Sequence, residues 1–471
     1  MLRRWAQAAI NRLPVAFRDA YQSATGVRLR LDALGSEFRR RLAWLKESQW
    51  WEADRIREFQ DARVRELAAH AYDTVPFYRR WFDAAGVGPE DIRTQDDLRR
   101  LPILTKQHVR EHQREMVSLA YRSRAWARRG TSGTTGTAVV VVRARDMQPL
   151  QRAIFWRHRD QFGVPPLSSI HQFSVRTGID PERSRPPFWW HDYPSRVTYV
   201  SLAHLTPRCL PAIAQWFARR RLAMLCGWPN AMVLLADFLA ENRVALRQPP
   251  RLVSCGAETL LPQVERRLAD GFCAPVTSMY GQVEFAGHMV RCPHGRYHLD
   301  SECCCIETLP VPRAEPGVVS LVFTGWGNPA MPFIRYDVGD TGVPAEGPCP
   351  CGRQSASFLS IDGRMEAYVR TPDGRTVFGL NVHLPSAREV QVYQDRLESI
   401  EVRVVPGPDY DPGQEAEMVR RLRTLVGQEL RIDIVRVEHI PRSPSGKFRA
   451  VVSELADQSP EQRELAAAAR R

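Results

Sequence analysis

The sequence predicts an α/β protein with a large N-terminal domain, in which helices pack on β-sheets, and a small α+β C-terminal domain. Three observations support this prediction. Short apolar runs alternate with helical patterns through most of the chain. A basic segment with helical periodicity precedes them, and a strand–helix–strand pattern of roughly 100 residues follows them. We therefore expect three parts, residues 1–50, 51–365 and 366–471.

The N-terminal part is strongly basic, with ten Arg or Lys residues against four Asp or Glu residues in positions 1–50. Its apolar residues recur at helical spacing, namely Leu2, Trp5, Ala9 and Leu13, then Phe38, Leu42 and Leu45. A basic amphipathic helix can lie on an anionic membrane surface or dock on a partner protein. The alternative is a helical extension that packs on its own domain, and the sequence leaves both open.

The pattern of the middle part, residues 51–365, predicts helices first and then alternating strands and helices. Ile56, Phe59, Leu67 and Ala71 form an apolar stripe. From about residue 125 the runs AVVVV, RLVSCG, APVTSMYG and GVVSLVFTG read as buried strands, with VERRLADGF as a crossover helix between two of them. That alternation predicts a sheet that is substantially parallel.

The C-terminal part begins after the sequence IDGR at 361–364. IEVRVVPG alternates as a half-buried strand, and EAEMVRRLRTLVGQEL reads as an amphipathic helix with Met418, Leu422 and Leu425 on one face. RIDIVRVEHI reads as a further strand, followed by the loop PRSPSGKFR. These elements predict the small α+β domain.

Composition excludes some classes of protein. No apolar stretch approaches the roughly 18 residues of a membrane-spanning helix, and the N-terminus lacks the apolar core of a signal peptide because Gln7, Asn11 and Arg12 interrupt it. We therefore expect a cytoplasmic protein. The net charge of +13 and the 12 tryptophans raise a nucleic-acid-binding module as an alternative. The positive charge is not gathered on a recognisable reading motif, so we expect no nucleic-acid partner.

Within the stretch RRGTSGTTGTAVVVV, residues 128–142, the seven residues 130–136 combine three glycines with four hydroxyl side chains before a strand. Glycines let backbone N–H groups approach a ligand closely, and hydroxyls add donors, which favours a bound phosphate. The spacing differs from the P-loop and the dinucleotide-binding pattern. An ordinary hairpin turn is the alternative.

Two residue types are distributed unevenly. The chain has three lysines, Lys46, Lys106 and Lys447, among 66 basic residues, so a retained lysine draws attention to its compact ammonium group. Six of the ten cysteines fall between Cys292 and Cys351. In a cytoplasmic protein such a cluster indicates a metal site or reactive thiols rather than disulfides.

Further polar motifs follow in a fixed order. They are GAE at 256–258, YGQVE at 280–284, RYDVGD at 335–340, DGR at 362–364 and PRSPSGK at 441–447. Each alone could be an ordinary turn or cap. Taken in order after the Gly/Ser/Thr loop, they resemble the acyl-adenylate-forming superfamily of ligases. The stretches AAHAYDTVPFYRRWFDAAGV, DLRRLPILTK, MPFIRYDVGD and CPCGR look like the phenylacetate–CoA ligase branch, including relatives found with capsule genes. The resemblance covers roughly Trp51 to Val451.

The resemblance implies an ATP site. The residues that would wrap the β- and γ-phosphates are Thr131, Ser132, Gly133, Thr134, Thr135 and Gly136. Those implied around adenine are Gly256, Ala257, Glu258, Tyr280 and Gly281. Glu284 would hold Mg²⁺ on the phosphates, and Asp340 and Arg364 would contact the ribose, roles that suit carboxylates and a guanidinium.

The resemblance also implies a two-step reaction on a small-molecule carboxylic acid. Attack of the carboxylate on ATP gives acyl-AMP and pyrophosphate, and Lys447 would neutralise both reacting anions. The C-terminal domain, a mobile lid carrying Lys447, would then turn about Glu366 and admit CoA to give an acyl-CoA thioester. An adenylating enzyme that passes the acyl group to an amine, a hydroxyl or a carrier-protein thiol, for example on a polysaccharide precursor, remains the alternative.

The sequence departs from the superfamily pattern at two positions. Thr137-Ala138 stands where many members have Pro-Lys, so the loop lacks a lysine, and Val283 replaces the commoner threonine of YGxTE. The acyl pocket is implied around HQFSVRTG and RPPFWWHDYP, and the sequence does not identify the acid.

Some members of this branch carry zinc, and the implied ligands here are Cys292, His298, Cys349 and Cys351. Three thiolates and an imidazole make a closed tetrahedral set, which indicates a structural role. The segment Cys303–Cys305 and His294 are alternative ligands, and unligated thiols are the remaining alternative.

Overall fold

The computed structural model describes residues 15–121, 126–130, 140–145, 147–174, 179–180, 183–311, 317–364, 368–372, 376–378, 380, 382, 384, 386–441 and 448–455. The chain divides into two compact units. The first holds most residues up to Asp362, and the second begins at Gly363 and also contains 311–318.

The helices of the described residues are numbered in chain order. They are α1 Val15–Ala33, α2 Ser36–Ser48, α3 Ala53–Thr74, α4 Pro76–Ala85, α5 Lys106–Glu111, α6 Met147–Asp160, α7 Leu210–Ala218, α8 Pro229–Glu241, α9 Pro262–Phe272 and α10 Gly413–Val426. Short 3₁₀ turns occur at Pro89–Asp91, Asp96–Arg100, Leu119–Tyr121 and Leu202–His204.

The strands are numbered in the same way. They are β1 Trp126–Gly130, β2 Val140–Ala144, β3 Ile170–Ser174, β4 Trp189–Asp192, β5 Val197–Ser201, β6 Met224–Gly227, β7 Leu252–Gly256, β8 Val276–Gly281, β9 His288–Arg291, β10 Tyr297–Leu299, β11 Cys304–Pro310, β12 Val319–Gly325, β13 Phe333–Pro344, β14 Ser357–Arg364, β15 Tyr368–Arg370, β16 Thr376–Phe378, β17 Ala387–Arg396, β18 Ser399–Pro406, β19 Arg431–Arg436 and β20 Val451–Ser453.

A sheet of 12 described strands, in the order β11-β12-β13-β14-β10-β9-β8-β7-β6-β3-β5-β4, organises the first unit. Its centre is parallel, from β5 through β3, β6 and β7 to β8. The predicted crossover helix is α9, which connects β7 to the parallel strand β8. The mixed α/β fold with a large sheet therefore agrees with the sequence prediction.

The sheet is less parallel than the sequence suggested. The stretch AVVVV contributes β2, which pairs antiparallel with β1 in a separate two-stranded sheet. GVVSLVFTG forms β12, which is antiparallel to both β11 and β13. A parallel neighbour needs a long crossover connection, whereas these strands follow their partners after short connections, so antiparallel pairing is the accessible arrangement.

The N-terminal helices contribute to the core of the first unit. Phe38, Leu42 and Leu45 of α2 are buried. Of the predicted stripe on α3, Ile56, Leu67 and Ala71 are buried and Phe59 is half-buried. Helix α2 packs on α6, and α1 packs on β4. The first apolar group of the basic segment, in residues 1–14, lies outside the described residues, so a membrane or protein contact there stays a prediction.

The second unit contains a four-stranded sheet in the order β19-β18-β17-β20, with helix α10 and the two-stranded sheet of β15 and β16. Met418 and Leu422 of α10 are buried with Val402 and Val404 of β18. This is the predicted strand–helix–strand pattern in an α+β unit. Among the described residues, no helix combines the length and apolar character needed to cross a membrane.

Candidate active site and cysteine–histidine cluster

The first candidate site lies at the carboxyl ends of the parallel strands β7 and β8. Gly256 ends β7, Gly281 ends β8, and Gly256 is paired with Met279 across the two strands. Ala257 adopts a left-handed φ of 67°, which turns the chain sharply after β7. In open α/β sheets, this edge is where ligands bind.

A hydrogen-bond chain joins two of the predicted motifs. The backbone N–H of Gly287 donates to Oε1 of Gln282 (3.1 Å), and Nε2 of Gln282 donates to the hydroxyl oxygen of Tyr280 (2.9 Å). That hydroxyl donates in turn to Oδ2 of Asp340 (2.6 Å). Because the hydroxyl oxygen of Tyr280 accepts a hydrogen bond from Gln282, the hydroxyl proton points to Asp340. This hydrogen bond fixes the orientation of the Asp340 carboxylate.

The environment keeps Tyr280 protonated. Burial raises the pKa of its phenol well above the ordinary value, and the charge of Asp340 and the hydrogen bond to it raise the pKa further. The ring of Tyr280 lies 6.1 Å from that of Phe323, centroid to centroid, at an interplanar angle of 27°. Tyr280 therefore acts as a fixed hydrogen-bond donor.

A second tyrosine holds the other predicted carboxylate. The hydroxyl of Tyr336 donates to Oε1 of Glu284 (3.0 Å), and both side chains are buried. Burial and the charge of Glu284 raise the pKa of Tyr336, so it too remains a donor. Gly287 lies close to the ring of Phe323, where a Cβ would come within 2.2 Å of a ring carbon, and this requires glycine in the turn after Glu284.

The polar residues of RYDVGD take different roles. Arg335 pairs with both carboxylate oxygens of Glu307 (2.8 and 2.9 Å) and also donates to the carbonyl of Leu101. Asp337 accepts from the N–H of Gly339 (2.8 Å). Asp340 alone of the three charged residues accepts a hydrogen bond from Tyr280. The motif thus supplies one carboxylate to the site, and its arginine anchors the strand.

Glu258 of the GAE motif contacts a helix start. Its Oε2 accepts from Nδ2 of Asn230 (3.1 Å) and from the backbone N–H of the same residue (3.4 Å). Asn230 lies in the first turn of α8. The carboxylate therefore ties the turn after β7 to the preceding crossover helix.

Lys106 lies beside the RYDVGD motif. Gly339 has a left-handed φ of 71°, and a Cβ added there would lie 3.3 Å from Nζ of Lys106. The lysine begins helix α5 and is half-buried. Lys106 stands out in the sequence for its rarity, but the sequence gives it no place. Gln282 and Tyr336 were not predicted as site residues. The partners of Gln282 are near in sequence, whereas the fold brings Tyr336 to Glu284, 52 residues before it.

Several predicted site residues lie outside the described residues. These are Thr131, Ser132, Gly133, Thr134, Thr135, Gly136, Glu366 and Lys447. The backbone of Arg364 ends β14, and its side chain is outside the description. The roles assigned to them stay predictions.

The second candidate site is a cluster of Cys292, His298, Cys349 and Cys351. One ligand atom from each residue lies within 4.8 Å of all the others. The two sulfurs of Cys292 and Cys349 are 3.8 Å apart, and Sγ of Cys351 is 3.3 Å from Nε2 of His298. Tetrahedral zinc with bonds of about 2.3 Å to sulfur requires sulfur–sulfur separations of about 3.8 Å. The fold brings together all four ligands that the resemblance implied.

The charge state of the imidazole suits a metal ligand. Burial lowers the pKa of His298 to about 4, so the ring is neutral and has a lone pair to donate. The alternative ligands lie apart from this group. Cys303, Cys304 and Cys305 are buried, with Cys303 Sγ 3.2 Å from the carbonyl oxygen of Asp300, and His294 is exposed.

Comparisons with known proteins agree with this architecture. Residues 381–454 match the family model of the CapK C-terminal domain. The chain is similar to phenylacetate-coenzyme A ligase of Thermus thermophilus, with 25% identity over 85% of this chain and 96% of that protein. It is also similar to CapK of Staphylococcus aureus, with 22% identity over 86% of this chain and 90% of that protein.

Local and structural similarity add to this. A stretch of 88 residues is 40% identical to phenylacetate-coenzyme A ligase of Escherichia coli, covering 19% of this chain and 20% of that protein. The crystal structure of 2-hydroxyisobutyryl-CoA ligase in its postadenylation state superposes with a TM-score of 0.68 at 17% identity, covering 89% of this chain and 93% of that chain. The chain is therefore a homologue of phenylacetate-coenzyme A ligase and of CapK, with the fold of the adenylate-forming ligases.

Proposed function

We propose that this protein is an AMP-forming acid–thiol ligase, which activates a carboxylic acid with ATP and transfers the acyl group to CoA. The observation that carries the proposal is the pair of carboxylates, Asp340 and Glu284, each held by a tyrosine hydroxyl next to the carboxyl ends of β7 and β8. A nucleotide with a bound Mg²⁺ needs two such groups, one for the ribose diol and one for the metal. The homology to phenylacetate-coenzyme A ligase supports the same reaction.

The nucleotide is proposed to lie across this edge of the sheet. Asp340 accepts from Tyr280 through Oδ2, and a carboxylate has further lone pairs with which to accept from the ribose hydroxyls. Adenine is assigned to the turns that follow Gly256 and Gly281, the residues that end β7 and β8. The loop Thr131–Gly136 and Arg364 complete the proposed ATP site.

Glu284 fits a magnesium ligand. Its carboxylate is 5% exposed and accepts a hydrogen bond from a neutral hydroxyl, and a carboxylate has further lone pairs with which to bind a metal. Bound Mg²⁺ neutralises charge on the phosphates. The residues of this chain that would fix Glu284 are Tyr336, through its hydroxyl, and Gly287, through the tight turn.

Activation brings together two anions, the substrate carboxylate and the α-phosphate. Lys447 is proposed to contact both, because a flexible ammonium can follow charge from one oxygen to another. The carboxylate oxygen attacks phosphorus, the bond to the pyrophosphate oxygen breaks, and acyl-AMP forms. The loop before β2 lacks a lysine, so its hydroxyls and backbone N–H groups are assigned the remaining phosphate contacts.

The second step replaces AMP with the thiol of CoA. Pyrophosphate and the thiol must occupy opposite sides of the same acyl carbon, so the segment carrying Lys447 is proposed to leave after the first step, with Glu366 as the pivot. Both ATP and CoA are cytoplasmic metabolites, and we assign the enzyme to that compartment.

The cysteine–histidine cluster is proposed to hold a structural zinc ion. Cys292 follows β9 and His298 lies within β10, while Cys349 and Cys351 belong to the connection between β13 and β14. A four-ligand ion would cross-link these two segments of the first unit and leave no open position for substrate. Its role is therefore stability.

The second step has an alternative acceptor to CoA, and the names of the relatives bear on it only in part. The C-terminal match to CapK covers the part of the chain that carries the proposed lid, whereas the 88-residue match is to a phenylacetate-coenzyme A ligase. An amine, a hydroxyl or a carrier-protein thiol is thus the alternative acceptor for the activated acid.

A panel of carboxylic acids tests the proposal. Each acid is incubated with ATP and Mg²⁺, with and without CoA, and pyrophosphate release and thioester formation are measured. We expect at least one acid to cause pyrophosphate release, and we expect the rate of that release to rise severalfold when CoA is added. Release without any response to CoA would favour the alternative acceptors, and no release with any acid of aryl, alkyl or hydroxy-acid type would contradict adenylation.

A further inference from the structure

A cavity of about 460 Å³ lies in the first unit, away from the candidate active site. Its walls include His171, His191, Tyr193, Trp216 and Arg221. A volume of this size falls in the range of small-molecule sites. We name it the His–Arg cavity.

The cavity opens at the end of the sheet opposite to the nucleotide residues. His171 is the second residue of β3 and Thr198 the second of β5, so both lie at the amino ends of parallel strands. Gly256 and Gly281 lie at the carboxyl ends of β7 and β8. With about 3.3 Å per residue along a strand and about 4.8 Å between strands, the two places are roughly 20 Å apart. His171, His191 and Tyr193 belong to the two stretches around which the resemblance implied the acyl pocket, but they lie at this amino end and not beside the nucleotide residues. The His–Arg cavity is therefore a site separate from the proposed ATP site, and these three residues are not assigned to the acyl pocket.

Three polar side chains line up across the sheet. His171 is paired with Thr198, and Thr198 is paired with His191, so the three share one face. Nδ1 of His191 is 2.9 Å from the hydroxyl of Thr198. Burial lowers the pKa of His171 to about 4 and also lowers the pKa of His191. Both rings are thus neutral near pH 7 and offer hydrogen bonds rather than charge.

Flat ring surfaces surround this row. The ring centroid of Trp216 on α7 lies 5.4 Å from that of His171 and 4.3 Å from that of Trp189, against which it stacks. Tyr193 lies 5.3 Å from His191 and is 65% exposed. An exposed tyrosine beside buried aromatic rings provides a surface on which a planar ring can stack.

Arginines give the entrance a positive charge. Arg196, Arg220 and Arg221 line the cavity, and Arg196 and Arg221 also line an adjoining cavity of about 330 Å³ together with Arg251. Within the described ranges, no carboxylate lies at ion-pair distance from Arg196 or Arg221. Asp192, the one acidic residue of the two linings, accepts from the N–H of Ser195 (3.1 Å).

The chemistry of the lining selects a ligand class. Guanidinium groups bind phosphate oxygens well, because their N–H donors form a planar fork. Aromatic and imidazole rings bind a planar ring next to that phosphate. We propose that the His–Arg cavity binds a phosphate ester of a planar ring, such as an aryl or nucleoside phosphate, at a site separate from the proposed ATP site.

Direct binding measurements test the proposal without reference to catalysis. Phenyl phosphate, inorganic phosphate and phenol are titrated by calorimetry into the full-length protein and into four variants. Arg221→Gln and Tyr193→Ala alter the cavity, Arg219→Gln removes a neighbouring arginine outside it, and Asp340→Asn alters the proposed ATP site. All four positions are on the surface or at a ligand-facing edge, and melting curves check that each variant folds.

We expect phenyl phosphate to bind the wild type at least tenfold more tightly than phosphate or phenol. Arg221→Gln should weaken binding about tenfold, as loss of a charge-assisted hydrogen bond requires. Tyr193→Ala should lower the affinity for phenyl phosphate severalfold and leave the affinity for inorganic phosphate unchanged. Arg219→Gln and Asp340→Asn should bind phenyl phosphate with the affinity of the wild type. Equal losses in Arg219→Gln and Arg221→Gln would show bulk charge only and overturn the proposal. Loss in Asp340→Asn alone, equal affinity for phosphate, or no binding would also overturn it.

Discussion

At the scale of single residues, every hydrogen bond in the chain from Gly287 to Asp340 is donated in the same direction, towards the Asp340 carboxylate. Gln282 can orient its amide in one way only, because its oxygen accepts from Gly287 and its nitrogen donates to Tyr280. The tyrosine proton must then point to Asp340. A carboxylate held in this way is preorganised for a diol and needs little rearrangement when ATP arrives.

Tyr280→Phe should lower ATP affinity about three- to tenfold, the effect of one hydrogen bond of about 0.5–1.5 kcal/mol. The ring contact with Phe323 is kept, so the melting temperature should change little. Calorimetric titration with ATP measures the effect. Tyr72→Phe, which removes a tyrosine hydroxyl that donates to Asp83 (3.0 Å) outside both proposed sites, is the matched control. Equal ATP affinities for the wild type and Tyr280→Phe would show that Tyr280 does not position Asp340.

Residue-level prediction from the sequence was strongest where a motif contains its own chemistry. The sequence motifs contain Asp340, Glu284 and the four residues of the cysteine–histidine cluster, and the fold brings those four side chains together. Tyr280 was predicted beside adenine, but the contacts of Tyr280 and Tyr336 with the two carboxylates were not predicted. Tyr280 lies 60 residues before Asp340, and Tyr336 lies 52 residues after Glu284, so local spacing carries no trace of these contacts.

At the scale of secondary-structure elements, the sequence predicted which segments are strands better than how they pair. RLVSCG and APVTSMYG became the parallel pair β7 and β8, since a helix with one apolar face separates them. GVVSLVFTG became the antiparallel strand β12. An apolar run shows that a strand is buried on both faces, and it says nothing of the direction of its neighbours.

Buried charges also join elements in ways the sequence conceals. Arg157 of α6 is 3% exposed and pairs with Asp300 and Glu302, which follow it by 143 and 145 residues. The charge of Arg157 keeps the pKa of Asp300 below its ordinary value although burial alone would raise it. A charged residue inside a helical pattern ordinarily predicts a solvent-facing position. Here a pair of distant carboxylates compensates its burial.

The cysteine–histidine cluster is expected to hold zinc that joins two segments of the first unit. The purified protein should contain about one zinc ion per chain, and Cys349→Ser should lose zinc and melt several degrees lower, since one ligand of four is removed. Metal analysis and thermal melting measure both effects. Cys273→Ser changes an exposed cysteine outside the cluster and should retain zinc and stability. Zinc-free wild-type protein with the same melting temperature as a zinc-loaded sample would contradict a structural metal.

At the scale of the whole molecule, the chain forms two compact units, and the proposed reaction needs one of them to move. Glu366 lies near the start of the second unit, which begins at Gly363. A pivot must change its backbone torsions, and proline fixes φ near −65°. Glu366, the pivot that the resemblance implies, thus lies in the sequence close to the boundary between the two units.

Glu366→Pro should leave pyrophosphate release within about tenfold of the wild type and reduce acyl transfer to CoA much further, because a locked pivot holds one arrangement. The two half-reactions are measured separately, the second from synthetic acyl-AMP. Glu366→Ala is the control and should support both. Normal rates of both half-reactions in Glu366→Pro would place the pivot elsewhere.

Lys447 is proposed to act in the first half-reaction and not in the second, and measuring each half-reaction alone tests this. In Lys447→Ala, we expect a loss of acid-dependent pyrophosphate release on the order of 10²–10³-fold, because an oriented cation meets the charge that develops in the transition state. Thioester formation from synthetic acyl-AMP and CoA should stay close to the wild-type rate. Lys46→Ala, which removes a surface lysine paired with Asp160, should leave both unchanged. Unaltered pyrophosphate release in Lys447→Ala would contradict the account.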